Sequence, residues 1–273
     1  MDRPTGSDFL TRIEGTRRRR VEEMKERVPG YALRERLGAA RPDGRLERAL
    51  RRPSPDAPLR LLCEVKRASP SKGVLRADVD PVAMAELYAA GGAAAVSLVT
   101  EPDHFGGDLA WIDAVRPAVD LPILLKDFVV DGYQLLDAAV RGADGVLLLA
   151  AMLTDTHLQR LIQEAKLLGL DPLVEVHSET ELARATWAGA TLVGINNRDL
   201  RTLAMDPDNV GRVLPAVRPL ITIVAESGYA DPAALARLRA TRCDAVLIGE
   251  AFMTSPDPAA TLARLRAAAE GRG

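Results

Sequence analysis

The feature that most constrains the fold of this chain is a series of eight short apolar runs separated by helix-like segments. The runs cover residues 61–66, 94–99, 122–126, 145–150, 172–177, 191–196, 220–226 and 244–250. Each run has the length of a buried strand and lacks the strict polar alternation of a strand with one face in water. Several of the intervening segments begin at Asp or Thr and several end at Gly, as helices do. These predicted helices are residues 81–91, 132–142, 155–168, 179–188 and 231–240.

Strands that alternate with helices form parallel units, which leaves two candidate architectures: an open doubly wound sheet and a closed (β/α)8 barrel. No GxGxxG motif follows the first run, which argues against a dinucleotide-binding sheet. Polar residues end six of the runs, and a barrel draws its site from many strand ends, whereas an open sheet uses one switch point. The sequence therefore predicts an α/β fold, a single (β/α)8 TIM barrel domain over residues 1–273.

Residues 1–60 precede the first strand and are predicted to form an N-terminal helical extension packed on the barrel. Within it, residues 7–28 have the pattern of an amphipathic helix, and residues 41–58, rich in Arg and Pro, are interpreted as a surface connection. The helix carries the basic run Arg17–Arg20. We expect this run to be a solvated face with acidic neighbours; a polyanion-binding patch is the alternative.

Composition and charge exclude several classes of partner. The chain has 36 basic and 38 acidic residues and only 4% aromatics, so neither a global field nor a stacking surface favours nucleic acid or membranes. Cys63 and Cys243 lie far apart without a CxxC motif, which is typical of a reducing cytosol. The three histidines lack metal-ligand spacing. We expect a cytoplasmic monomer or weak homodimer that binds no metal, nucleic acid or membrane.

Charged residues within and at the ends of the strands predict the chemistry. Glu64 and Lys66 are two residues apart in the first strand and so share a face. Lys126 ends the third strand, where burial would lower its pKa and nearby carboxylates would raise it. It is a candidate general acid or, if unprotonated, a Schiff-base former. Glu175, with apolar neighbours in the fifth strand, is a candidate general base.

Glycine-containing turns follow the seventh and eighth strands, at Ser227-Gly228 and Gly249-Glu250. In barrels these two loops often bind phosphate through backbone N–H groups. The loop after the first strand, residues 69–73, adds hydroxyls and a lysine. Together these turns predict a phosphorylated small-molecule substrate.

Several long motifs resemble those of the indole-3-glycerol phosphate synthase family over almost the whole chain. They are CEVKRASPSKG, SLVTEPDHFGGD, PILLKDFVVDGYQ, PLVEVHSETEL, VGINNRDLRTL, VAESGY and LIGEAFM. The resemblance implies ring closure of 1-(2-carboxyphenylamino)-1-deoxyribulose 5-phosphate to indole-3-glycerol phosphate, with loss of CO2 and water, in tryptophan biosynthesis. It implies no cofactor and no metal.

The resemblance also implies a role for each matching position. Lys126 would be the general acid, Lys66 the partner of the anthranilate carboxylate, and Glu175 the base. Supporting positions would be Glu64, Asn196, Glu226 and Ser227. Substrate and phosphate contacts would come from Phe128 as an aromatic wall, Arg198 as an edge cation, and Ser69, Gly228, Gly249 and Glu250.

Two other barrel activities compete with this interpretation. A sugar-phosphate isomerase, such as phosphoribosylanthranilate isomerase, also needs an acid and a base, and an aldolase would use Lys126 as a Schiff base. The combination of Glu64 and Lys66 with Lys126 and Glu175 favours the synthase.

Overall fold

The computed structural model describes residues 6–38 and 44–272, which contain a closed barrel of eight parallel strands. The strands are β1 (Arg60–Val65), β2 (Ala95–Val99), β3 (Ile123–Lys126), β4 (Gly145–Leu149), β5 (Asp171–Val176), β6 (Leu192–Asn196), β7 (Thr222–Glu226) and β8 (Ala245–Ile248). Each strand pairs with its neighbours in the chain, and β8 pairs with β1 to close the barrel. The predicted TIM barrel is confirmed. Residues 1–5, 39–43 and 273 of the predicted domain lie outside the described residues.

Helices surround the barrel and connect its strands. They are α1 (Gly6–Arg27), α2 (Gly30–Arg36), α3 (Arg45–Leu50), α4 (Pro81–Ala90), α5 (Pro102–Phe105), α6 (Ala110–Val115), α7 (Gly132–Arg141), α8 (Asp155–Leu167), α9 (Glu179–Trp187), α10 (Asn209–Val213), α11 (Pro232–Arg239), α12 (Glu250–Met253) and α13 (Pro258–Glu270). Side chains of Asp80, Asp131 and Asp231 accept from free backbone N–H groups at three helix starts. No helix in residues 6–38 or 44–272 combines the length and apolarity that a membrane crossing needs.

Alternate strand residues face two separate apolar layers. Val65 and Val96 belong to the layer between strands and outer helices. Leu62 and Leu147 belong to the layer that fills the barrel interior. Because successive side chains point to opposite faces of a strand, Glu64 shares the interior face with Leu62.

Helix α3 corrects the prediction that residues 41–58 form only a surface connection. Its Leu46 and Leu50 are fully buried and join the interior layer. Their spacing of four residues places both on one face of the helix. The Arg-rich composition of the segment conceals this short apolar face, which covers the N-terminal end of the barrel.

Buried carboxylates at the starts of the strands hold α3 in place. Asp144 accepts from Arg45 Nη1 at 2.9 Å and from the backbone N–H of Ile123 at 2.8 Å. Asp171 Oδ2 accepts from the backbone N–H of Glu47 at 2.9 Å. The extension therefore seals the end of the barrel opposite the C-terminal ends of the strands.

Candidate active site

A cavity of about 360 Å³ opens at the C-terminal ends of the barrel strands. We call it the barrel-mouth cavity. All thirteen residues predicted for the site contribute to its wall. They are Glu64, Lys66, Ser69, Lys126, Phe128, Glu175, Asn196, Arg198, Glu226, Ser227, Gly228, Gly249 and Glu250.

Lys126 lies at the centre of this cavity among carboxylates. Its Nζ donates to Glu226 Oε2 at 2.8 Å and to Glu175 Oε2 at 3.4 Å. Burial favours the neutral amine, but the charges of Glu226, Glu175 and Glu64 together outweigh burial and raise the pKa of Lys126. The side chain is therefore a protonated ammonium at neutral pH.

Glu226 has one paired and one unpaired carboxylate oxygen. Oε2 accepts from Lys126, whereas the buried Oε1 has no hydrogen-bond partner among the described residues. A Cβ on Gly194 of β6 would clash with Oε1, so a larger residue there would displace the Glu226 carboxylate from its present position. Burial raises the pKa of Glu226 to about 7, against the lowering effect of Lys126. Glu226 can therefore exchange a proton near neutral pH.

Glu64 and Lys66 form an ion pair at the rim of β1. Lys66 Nζ donates to Glu64 Oε1 at 2.8 Å, and Ser97 Oγ donates to Oε2 at 3.3 Å. Burial would raise the pKa of Glu64, but Lys66 and Lys126 outweigh it and lower that pKa. Glu64 therefore stays ionised and helps to hold Lys126 in its charged form.

Glu175 is oriented by an amide network that begins at Asn196. Asn196 Nδ2 donates to Glu175 Oε1 at 2.8 Å, and Asn196 Oδ1 accepts from the backbone N–H of Arg198 at 2.8 Å. Asn209 Nδ2 donates to the Asn196 carbonyl at 2.9 Å. Asn209 is buried and was not predicted from the sequence, because an asparagine at the start of a short helix resembles ordinary turn chemistry.

Aromatic side chains form one wall of the cavity. The rings of Phe128 and Phe105 lie 6.1 Å apart between centroids, and Phe9 of α1 also lines the cavity. Phe128 was predicted from the sequence, whereas Phe105 and Phe9 were not. No local signal distinguishes Phe9 from the other apolar residues of an amphipathic helix.

The basic run of α1 corrects the expectation of a solvated face. Arg18 does pair with nearby Glu14, but Arg17 is only 4% exposed. Its Nη2 donates to Asp127 Oδ2 at 2.9 Å. Asp127 directly follows Lys126, and its Oδ1 accepts from the backbone N–H of Phe128 at 2.7 Å. Arg17 thus joins the extension to the strand end that carries Lys126.

The predicted phosphate turns have the backbone geometry of a constrained loop. Ser227 and Gly228 both have positive φ, of 63° and 89°. A non-glycine residue in this region is uncommon, and such strain concentrates at functional sites. A Cβ on Gly249 would lie 2.7 Å from Glu64 Oε1, so glycine is required there. The buried Ser69 Oγ has no partner among the described residues and could serve as a donor to a ligand.

Comparisons with known proteins identify the family to which this chain is similar. The family model for indole-3-glycerol phosphate synthase matches residues 10–265. Indole-3-glycerol phosphate synthase 1 of Streptomyces coelicolor is 46% identical over 250 residues, covering 92% of this chain and 91% of the relative. The Carboxydothermus hydrogenoformans synthase is 41% identical over 258 residues, covering 93% of this chain and 98% of the relative.

A solved structure resembles the fold at much lower identity. The 3-hexulose-6-phosphate synthase of Salmonella typhimurium aligns with a TM-score of 0.63 and 15% identity, covering 79% of this chain and 100% of that chain. This likeness concerns the barrel architecture alone.

Proposed function

The chain belongs to the indole-3-glycerol phosphate synthase family, and we propose that Lys126, Glu175 and Lys66 divide the family's reaction among them in the barrel-mouth cavity. The enzyme is a carboxy-lyase of tryptophan biosynthesis. It converts 1-(2-carboxyphenylamino)-1-deoxyribulose 5-phosphate to indole-3-glycerol phosphate, CO2 and water. The observation that carries the division of roles is the position of one protonated lysine among three carboxylates.

Lys126 acts as the proton donor in the first step. The aromatic carbon that bears the carboxylate attacks the ketone, and the carbonyl oxygen takes a proton from Lys126 Nζ to become a hydroxyl. The raised pKa of Lys126 supports this role and opposes a Schiff base, which needs the neutral amine. Contacts with Glu226 and Glu175 aim the ammonium into the cavity.

Lys66 and Glu175 serve the steps that follow. Lys66 holds the substrate carboxylate until CO2 leaves and the ring regains its aromaticity. Glu175, oriented by Asn196, removes the proton from the carbon next to the hydroxyl-bearing carbon. Lys66, released when CO2 leaves, gives the hydroxyl the proton with which it departs as water. Glu226, Glu175 and Glu64 keep Lys126 charged until it donates its proton.

The substrate has an aromatic end and a phosphate end, and the cavity offers a complement to each. Phe128 and the other phenyl rings of the wall pack against the anthranilate ring, with Arg198 at the edge of the site. Ser69, Ser227-Gly228 and the turn at Gly249-Glu250 receive the phosphate.

The remaining assignments concern the whole protein. We take residues 1–273 as one domain acting in the cytoplasm, as a monomer or weak homodimer, without nucleic-acid or membrane partners. Cys63 and Cys243 are buried free thiols, which suits a reducing compartment. The burial of Arg17 against Asp127 removes one charge from any polyanion patch on α1.

The test is to incubate the protein with the carboxyphenylamino ribulose phosphate and to follow indole fluorescence and CO2 release together. Both signals are expected from the wild type, and both are expected to fall sharply in Lys126→Met. Activity on phosphoribosylanthranilate without CO2 release would instead support the isomerase. A substrate adduct trapped by borohydride at Lys126 would contradict the proton-donor role.

A further inference from the structure

The loop after β1 carries a lysine that the proposed mechanism does not use. Residues Ala68–Ser69 pair antiparallel with Gly73–Val74, and Lys72 lies in the tight turn between them. Gly73 has a φ of 70°, and a Cβ there would meet nothing within 4 Å, so the space beside this position of the turn is open. Lys72 nevertheless lines the barrel-mouth cavity.

Lys72 reaches from this turn to the loop that follows the neighbouring strand β8. Its Nζ lies 2.5 Å from Oε1 of Glu250, the first residue of α12. The Lys72 side chain is 54% exposed and the Glu250 side chain 37% exposed. An exposed pair of this kind contributes little to stability, so its position in the wall of the cavity calls for another explanation.

The charges around the phosphate end supply that explanation. A phosphate monoester carries nearly two negative charges at neutral pH, and the carboxylate of Glu250 in the receiving turn repels it. Of the cations that line the cavity within the described residues, Lys66 and Lys126 pair with carboxylates inside the barrel. Arg198 donates to a backbone carbonyl. Lys72 is the cation whose carboxylate partner belongs to the phosphate turn itself.

We infer that Lys72 is the counter-ion of the substrate phosphate and that Glu250 holds it in place until substrate arrives. The phosphate then takes over the ammonium, and the Glu250 carboxylate turns to water. The exchange is favourable because a bond from ammonium to a dianion is stronger than an exposed ion pair. A neutral hydroxyl could not displace Glu250, so the pair also selects phosphorylated substrates. This inference rests on the phosphate end assigned under the proposed function.

The two members of the pair should respond to neutralisation in opposite directions. Lys72→Met removes the attraction and leaves Glu250 unopposed, so KM and the Kd of inorganic phosphate should rise roughly tenfold. Glu250→Gln removes the repulsion and frees Lys72, so the Kd of inorganic phosphate should fall a few-fold. The double variant should lie between them. Lys166→Met, which removes an exposed lysine that caps a carbonyl elsewhere, is the matched control and should change neither value.

Isothermal titration with inorganic phosphate measures binding directly, and steady-state assays give KM and kcat separately. Weaker phosphate binding in Glu250→Gln, to the same extent as in Lys72→Met, would show that the pair is only structural and would overturn the inference. An unchanged Kd in Lys72→Met would overturn it as well. Failure of the wild type to release CO2 would refute the proposed function, and the phosphate titration would still report on Lys72.

Discussion

At the scale of single residues, Lys126 is a charged side chain whose burial is offset by nearby carboxylates. Three glutamates keep it protonated, which makes it a donor and not a nucleophile. We expect Lys126→Met to lower kcat by about 10³-fold, within the range of general acid catalysis. The fold should be affected much less, because Glu226 can take up a proton when its counter-ion is lost. Steady-state kinetics beside thermal unfolding measures both effects, and a variant with near-normal kcat would refute the role of Lys126.

Glu175 allows a more selective test of proton removal. In Glu175→Gln the amide oxygen can still accept from Asn196 Nδ2, but the side chain can no longer take a proton. We expect kcat to fall by about 10²-fold or more, while the Kd of inorganic phosphate stays at the wild-type value. A loss of phosphate binding in this variant would mean that Glu175 shapes the whole cavity instead of serving as the base.

Glu226 predicts a dependence of stability on pH. Burial raises its pKa to about 7 in the folded protein, whereas in the unfolded chain a glutamate has a pKa of about 4.3. Between these two pH values the folded state binds more protons than the unfolded state. The contribution of Glu226 to the free energy of unfolding is therefore fully present below the unfolded pKa of this group, and it is lost as pH rises to about 7. We expect Glu226→Gln to remove that loss. In urea unfolding, the free energy of unfolding of the variant should therefore rise relative to that of the wild type as pH rises. A difference in free energy of unfolding that stays constant with pH would contradict the raised pKa of Glu226.

At the scale of elements, α1 is a part of the active-site wall as well as a packing helix. Arg17 neutralises the buried Asp127 beside Lys126. Removing one partner of a buried pair strands the other charge, so we expect Arg17→Met to destabilise the fold by about 3–5 kcal/mol. Arg18→Met on the same helix removes a half-exposed pair and should cost less than about 1 kcal/mol. Equal free energies of unfolding for the two variants, measured with urea, would show that the Arg17 pair is not buried in solution.

The same helix shows what local sequence can and cannot predict about elements. Strand and helix positions follow from run lengths and capping residues, so the predicted first helix at residues 7–28 agrees closely with α1 at Gly6–Arg27. The partner of Arg17, by contrast, is 110 residues away in the chain. Local sequence does not distinguish the four consecutive arginines, because only the closed barrel places a carboxylate beside one of them. Helix α3 was missed for a related reason, since its two leucines gain significance only from the barrel end that they cover.

At the scale of the whole molecule, closure of the barrel brings the polar residues at the strand ends together into one site. The pairing of β8 with β1 brings Gly249 against Glu64, and the pairing of β6 with β7 sets Asn196 opposite Glu226. The sequence could predict which residues end strands, because parallel strands present their ends at one rim. It could not predict that Glu226 Oε1 would lie unpaired over Gly194, because that contact depends on register and side-chain direction between neighbouring strands.

Helix α3 closes the opposite end of the barrel as a plug. Substitutions in this helix should therefore change the stability of the fold without changing the chemistry at the strand ends. Leu46 is fully buried in the interior layer, so Leu46→Ala should leave a cavity and lower the free energy of unfolding by about 2–5 kcal/mol. Leu220, two residues before β7, is 83% exposed, and Leu220→Ala is the matched control with an expected change within about 0.5 kcal/mol. Because the plug lies across the barrel from the catalytic rim, both variants should keep the wild-type kcat at temperatures where they remain folded. A kcat that falls in Leu46→Ala under those conditions would mean that the plug also sets the geometry of the strand ends.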